Sequence, residues 1–559
     1  MPGSVGSAGP HPEDVAAVVE LIGEAIHDAS HDVSHDVGHD VRHEHVADAA
    51  PVADRLLAPD EQTAEMYPEA AGGTTTDRPG WHVRLFGSHE FFRLWVVQVI
   101  SATGDWLGFS AIILLAADIG GSQGAGAGAG AISLVMAARI VPGFFFGPLA
   151  GVLVDRWDRK RVMITCDLGR AAVVVCLPWV HNLVGLVAAS LVLEVLTLLW
   201  SPAKEASVPN LVPPEHLTTA NSLSLAAAYG TFPFASLLFA LLAGVSAWLG
   251  SLGALHFLSL NQMALAFYVD AATFVLAALL VRTLSIGRRR VAAPDGPADR
   301  APDGAGSQHA APADRQVLRA RVRQAVDELK EGWHYIFINH TVRAVNLGLA
   351  TGLIGGGMLI PLGAVFSTEV LGAGAAGYGL FTTALGFGVA IGAVGVSALQ
   401  KRLPQAQVFT GALLLAGVFL FAAACSSSLG AATLFVGLMG VTVGPVYVMG
   451  FVLLQQEVDD ELRGRVFSSL NTLVRLCVLV SMVAGPLLSA VLGGLSERWL
   501  GGSITVGGIS VAVPGVRLTL WLAALIIMAA GLLALLSLRS GQRSQAALAA
   551  QHPSRRPSS

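Results

Sequence analysis

Charge is scarce in this chain, and lysine nearly missing. Of 559 residues 13% are charged, where soluble domains carry about a quarter, and four are lysine: Lys160, Lys204, Lys330 and Lys401. None of them follows a glycine, so the phosphate-cradling loop GxxxxGK[ST] is absent and ATP hydrolysis by this chain is not expected. Cysteine is equally rare. Cys166, Cys176, Cys425 and Cys477 each stand in an apolar run with no CxxC pair, which leaves no basis for a disulfide scaffold or a zinc ribbon and makes them core filler. No HExxH pattern occurs and the acids within apolar runs are scattered, so the expectation is no enzyme and no cofactor. The opening MPGSVGSAGPHPEDV lacks the basic stretch and short apolar run of a secretory signal, so the first apolar span is expected to direct insertion itself.

What the chain has in excess is apolar surface. It is 53% hydrophobic with a mean hydropathy of +0.62, the composition of a membrane protein. The net charge of -5 is unevenly spread: residues 1–80 hold sixteen acids against Arg42, Arg55 and Arg78, about -13, which leaves about +8 for the remainder. Residues 1–85 read as a disordered acidic tail, too polar to bury a core. Within it His27, His31, His35, His39 and His43 recur every fourth residue beside Asp28, Asp32, Asp36 and Asp40. On a helix these would share one face and offer ligands to Zn or Ni, but low complexity alone accounts for the repeat, since nothing in the tail fixes a geometry.

Beyond the tail, apolar runs alternate with short polar breaks. Twelve are long enough to cross a bilayer: about 91–117, 130–154, 162–180, 183–201, 219–249, 260–283, 342–368, 376–399, 407–425, 430–455, 466–494 and 516–538. Backbone groups in lipid need partners within their own segment, so the spans are helices and the expected fold class is an all-α polytopic membrane protein. They fall into two sets of six, residues 86–283 and 342–540, with a linker at 284–341 and a tail at 541–559. The linker runs from GRRRV into QVLRARVRQAVDELKEGWHYIF, where Leu318, Val322, Ala325, Leu329, Trp333 and Ile336 mark one apolar face, a pattern for a helix lying on the membrane surface. Basic residues collect in alternate loops, at Arg156 to Arg161, Lys204, Arg288 to Arg290, Lys401 with Arg402, and Arg463 with Arg465. The opposite loops carry only Arg498 and Arg517, so both termini are expected in the cytoplasm.

Ionisable residues inside the spans are expensive, so each is expected to meet a partner or an aqueous cavity. Asp105 lies near the middle of the first span, beside Gly104 and after Gln98 and Ser101. It has two readings: an acid that takes up and releases a coupling proton, or a fixed bond to another helix, with Arg139 of the second span a partner in reach. Asp167 and Arg170 are three apart and suited to pair with each other. Glu194 stands near the inner end of the fourth span, where it could meet Arg170 or line a cavity, and Asp270 and Arg475 are mid-span with no partner on their own helices. Trp106, Phe109 and Phe144 to Phe146 suit an apolar lining. Gly355 to Gly357, Gly379, Gly386 and Gly388 allow bending and close packing.

Two six-helix sets joined by a polar linker, with GPLAGVLVDRWDRKRVMI after the second span, resemble the major facilitator superfamily, whose two bundles rock about a central site. In that signature Gly147 and Gly151 admit a neighbouring helix, Asp155 latches one conformation by accepting hydrogen bonds across the bundle interface, and Arg156, Arg159, Lys160 and Arg161 hold the turn at the inner leaflet. Asp158 stands where the signature often has Gly. Three further stretches, FRLWVVQVISATGDWLGFSAI, SPAKEASVPNLVPPEHLTTANSL and LLQQEVDDELRGRVFSS, resemble the branch of macrolide-efflux and enterobactin exporters, and the likeness runs over about residues 84–540. Exporters of the superfamily often have Gly-Pro in the fifth helix, where this chain has Phe232-Pro233.

The resemblance implies a secondary active exporter of a small amphiphilic molecule, exchanging it for protons by alternating access, with substrate, proton and lipid as partners and no role for nucleic acid. An uptake or facilitated-diffusion carrier is the alternative transport reading. From another class, a non-transporting receptor would use the His/Asp tail to sense metal.

Overall fold

The computed structural model describes residues 85–122, 127–154, 157–251, 263–285, 338–458, 460–501, 503–506, 509–512 and 514–551. The histidine repeat, the linker helix, and Asp155 and Arg156 of the latch signature lie outside the described residues. Twelve helical segments among the described residues are long and apolar enough to cross a membrane. The first half comprises α1 (His89–Gly121), α2 (Ala127–Val154), α3 (Arg159–Cys176), α4 (Leu183–Glu205), α5 in two pieces (Leu217–Gly230 and Phe232–Ser251) and α6 (Ala264–Thr283). The second comprises α7 in two pieces (His340–Gly357 and Leu359–Val365), α8 (Gly374–Leu399), α9 (Gln405–Cys425), α10 (Leu429–Glu457), α11 (Asp460–Leu500) and α12 (Gly515–Gln551).

The short polar breaks stop and restart these helices. Ser88, Asp158, Asn182, Asn339 and Ser428 each accept a hydrogen bond from the first turn that follows, satisfying a donor that the helix itself leaves free. Asp158 therefore serves as the N-cap of α3, which is a reason for an acid where the family signature often has Gly. Between α7 and α8 the chain turns through Gly372 and Gly374 at φ +61° and +60°, a left-handed conformation that side chains resist. An antiparallel hairpin, β1 (Ser503–Val506) with β2 (Ile509–Ala512), joins α11 to α12 and is an addition to the all-helical expectation.

Two helices are broken for different reasons. In α5 the break at Thr231 precedes Pro233, which has no N–H to continue the ladder. In α7 it follows Gly355, Gly356 and Gly357. A Cβ at Gly355 would come within 2.5 Å of the Ala523 carbonyl of α12, and one at Gly357 would strike Ser481 of α11. Helices in lipid gain little from burying apolar surface against each other, so close approach must hold them together. Another close approach joins α8 to α10, where a Cβ at Gly440 would reach 2.5 Å from the Leu385 carbonyl and one at Gly388 3.0 Å from Gly440.

Among the described residues, the two halves share one core at the end away from the basic loops. There Leu107, Ile113, Met136 and Phe239 of the first half pack in one cluster with Leu362, Tyr378, Phe381 and Leu420 of the second. Gly379 of α8 abuts the backbone of Ala240 in α5, Gly386 abuts Pro233, and the Phe234 and Phe387 rings meet edge-on at 5.3 Å. Ser133 of α2 donates to the Val483 carbonyl of α11. Toward the basic loops the core divides: Phe91, Met163 and Trp200 cluster within the first half, and Val345, Phe409 and Met449 within the second. Gly147 and Gly151 of α2 have open space where a Cβ would stand. Among the described residues, the close helix approach expected at this pair is thus not made in this conformation.

Candidate functional site

The α1 register places Asp105 on the inner face of the first half, where it meets α2, α3 and α6. Asp105, Arg139, Arg170 and Asp270 line one cavity of about 10 Å3, on the scale of a single water molecule, with Phe109, Leu193, Thr197 and Phe274. Four of the seven intramembrane charges singled out in the sequence therefore come together, from four different helices.

Arg170 is the centre of the arrangement. Its side chain is 1% exposed, and its Nη1 lies 3.3 and 3.4 Å from the two Asp105 oxygens while Nη2 pairs with Asp167. Asp167 also accepts from Trp200 Nε1 of α4 at 3.2 Å. The guanidinium plane stacks over Phe274 at 4.3 Å and near Trp200 at 5.1 Å, so its apolar faces are covered by rings and its edge by carboxylates. In this conformation Asp105 is paired with Arg170 and not with Arg139. Arg139 stands instead over the Phe109 ring at 5.8 Å.

Glu194 is half-buried and does not meet Arg170. It sits beside α2, where a Cβ at Gly143 would lie 3.6 Å from its Oε1, and the Arg139 charge acts on it. Asp270 is 2% exposed, no cation lies within salt-bridge distance of it among the described residues, and its Oδ1 accepts no hydrogen bond. Gly104 and Gly108 of α1 press on it so closely that a Cβ at either would strike its carboxylate. Arg475 stands apart, exposed on α11 and without an ion pair among the described residues, so it is no part of this cluster.

Trp200, Phe274, Gly104 and Gly108 escaped the sequence reading as members of the site. The spacing Gly104-x-x-x-Gly108 was a visible signal for close approach, but only the fold shows that α6 is what approaches. The position of Asp105 is braced by its own helix: Trp95 Nε1, Gln98 Nε2 and Trp106 Nε1 donate to the Leu223, Ser224 and Ala228 carbonyls of α5 at 2.8, 2.7 and 2.9 Å. At the basic-loop end Arg159 donates to the Ala206 carbonyl and Lys160 to the Leu284 carbonyl, each at 2.6 Å, tying the start of α3 to the ends of α4 and α6. Arg161 is exposed there. Of the cysteines, Cys166 and Cys477 are buried as core filler would be, whereas Cys176 and Cys425 are exposed.

Twelve membrane-spanning helices among the described residues, with an ion-paired cluster inside the first set of six, have the build of a membrane transporter. Residues 94–482 match the family model of the Major Facilitator Superfamily, and the chain belongs to that family. It is similar to the uncharacterised transporter YfiS of Bacillus subtilis, 26% identical over 73% of this chain and 86% of the relative. It is also similar to the uncharacterised transporter Rv0037c of Mycobacterium tuberculosis, 27% identical over 70% and 83%. A shorter stretch of 134 residues is 34% identical to macrolide efflux protein A of Streptococcus pyogenes, covering 23% of this chain and 32% of that one. The fold is that of a bacterial homologue of the human lysosomal transporter Spinster in its inward-facing, unoccupied conformation, with a TM-score of 0.59 at 16% identity over 81% of this chain and 98% of that one.

Proposed function

We propose that this transporter is a proton-coupled exporter that carries a small amphiphilic organic molecule out of the cytoplasm by alternating access. The observation that carries the reading is the asymmetry of packing, with one apolar cluster common to both halves away from the basic loops and a separate cluster in each half toward them. With the basic loops cytoplasmic, the open mouth faces the side from which an exporter loads. Asp105, 36% exposed, stands within reach of that mouth, so solvent protons have a way to the cluster. The partial likeness to a macrolide efflux protein supports an amphiphilic solute and the outward direction.

The test is flux in proteoliposomes under an imposed pH gradient, with erythromycin as the first probe and further probes taken from compounds that become more toxic when the gene is deleted. Expulsion against its own gradient is expected, driven by protons moving the other way. Flux unaltered by collapsing the pH gradient removes proton coupling. Phe232 before Pro233, where exporters often carry Gly-Pro, keeps an uptake or facilitated-diffusion carrier as the alternative, and the direction of gradient-driven flux separates the two. Deleting residues 1–80 separates both from a metal-sensing receptor, because an exporter retains its flux without the tail.

A further inference from the structure

We propose that Asp270, rather than Asp105, holds the coupling proton in this conformation, and that Arg170 is the counter-ion waiting for it when the proton leaves. The proposal rests on proton coupling as argued above and names the group that carries it.

The two acids differ in what surrounds them. Asp105 is partly open to solvent and has the Arg170 guanidinium at 3.3 Å, so its negative charge is both hydrated and paired. Asp270 is 2% exposed and has neither kind of support: none of the ion pairs among the described residues includes it, and its Oδ1 accepts nothing. A carboxylate cannot be kept ionised in such a place; it stays neutral by keeping its proton. The groups that face it from every helix packed on α6 agree with this. From α1 come Asp105, a like charge, and the bare backbone of Gly104 and Gly108; from α3 comes Arg170, engaged by Asp105 and Asp167; α5 carries no charged residue along its length; and across the cavity stands Arg139 of α2, over the Phe109 ring.

The cavity holds the other half of the device. Arg170 lines it together with Asp270, and the Arg170 Nε, also buried, has no hydrogen-bond partner. When the Asp270 O–H passes its proton to a water in the cavity, hydronium leaves by the mouth and a buried anion is left facing the Arg170 fork. A guanidinium has five N–H donors in one plane and can turn from Asp105 to Asp270 without quitting Asp167. Asp105 is then an unpaired anion at the mouth, able to take the cationic end of a solute. Proton and cation would thus exclude one another through a single arginine, which is the logic an exchanger needs.

Infrared spectroscopy of the purified full-length protein tests this without a transported solute. At neutral pH the wild-type minus Asp270→Asn difference spectrum should contain the carbonyl band of one protonated carboxyl group, and Asp105→Asn should retain that band. A band lost in Asp105→Asn and kept in Asp270→Asn would place the proton on Asp105; a band unchanged in both would leave Asp270 ionised, and either result overturns the proposal. Should Asp270→Asn fail to fold, Asp270→Glu keeps a carboxyl and must shift the band. For the relay, Arg170→Lys keeps the charge but loses the fork, so the band should persist to a pH at least one unit higher than in wild type, and an unchanged titration rules the relay out. If the band behaves as expected while proteoliposome flux ignores the pH gradient, the proton site stands and the exporter reading falls. Gradient-driven flux with no Asp270 band sinks only the assignment to Asp270.

Discussion

A guanidinium held between two carboxylates and two rings has more partners than any other charged group in the first half, so Arg170 is where a residue-scale change should cost most. Arg170→Gln leaves Asp167, fully buried, without its cation, and removing one partner of a buried pair costs about 3–5 kcal/mol. A large fall in the thermal midpoint of the detergent-solubilised protein is the expected outcome; a change as small as that of a surface substitution would show the pair to be dispensable. Trp200→Phe separates two roles of one side chain. It keeps a ring under the guanidinium and loses only the Nε1 bond to Asp167, so the loss should be about 1.5 kcal/mol, the lower end for a hydrogen bond to a charged group. Asp167 with Arg170 was legible from their spacing of three. Arg170 with Asp105 was not, because the two stand 65 positions apart, with the rest of α1, all of α2 and the start of α3 between them, and no local pattern records how those helices are rotated.

Among elements, α8 shows how glycine divides between packing and mere tolerance. A Cβ at Gly392 would strike the Val441 carbonyl of α10 and lie 2.9 Å from Pro445 Cδ, while one at Gly395, three residues on, would have nothing within 4 Å. Gly392→Val should force α8 off α10 and lower the yield of folded protein. Gly395→Ala should be neutral or stabilise by about 0.5–1 kcal/mol, since helical glycine costs backbone entropy and no neighbour objects to the methyl. Melting curves of the two variants side by side check both, and equal destabilisation would mean that α8 packs differently from this. The sequence marks all these glycines alike. Which of them touch a neighbour depends on helix rotation, and in α2 the pair Gly147 and Gly151, spaced for contact, faces open space.

For the whole molecule the parted basic-loop end and the sealed opposite end predict a labelling pattern. Gly147→Cys and Gly151→Cys should react readily with a maleimide applied from the basic-loop side, and protection of both would mean that the halves meet there. A cysteine pair at Phe234 and Phe387, whose rings meet edge-on at 5.3 Å between α5 and α8, should be joined by a short bifunctional methanethiosulfonate and arrest flux, with reductant restoring it. Undiminished flux in a fully cross-linked protein would show that α5 and α8 need not separate.

The twelve spans and the bias of basic loops were determined by the sequence alone, because bilayer thickness and the need to satisfy backbone groups act on each segment locally. Only the tertiary structure decided which charges meet, that Arg170 and not Arg139 holds Asp105, and that Asp270 lies alone under two glycines. It also decided which end of the cleft is open. The reason is the same in each case: lipid offers helices no strong preference for one neighbour, so partners are chosen by close-packed surfaces from distant parts of the chain, and those exist only once the bundle is assembled.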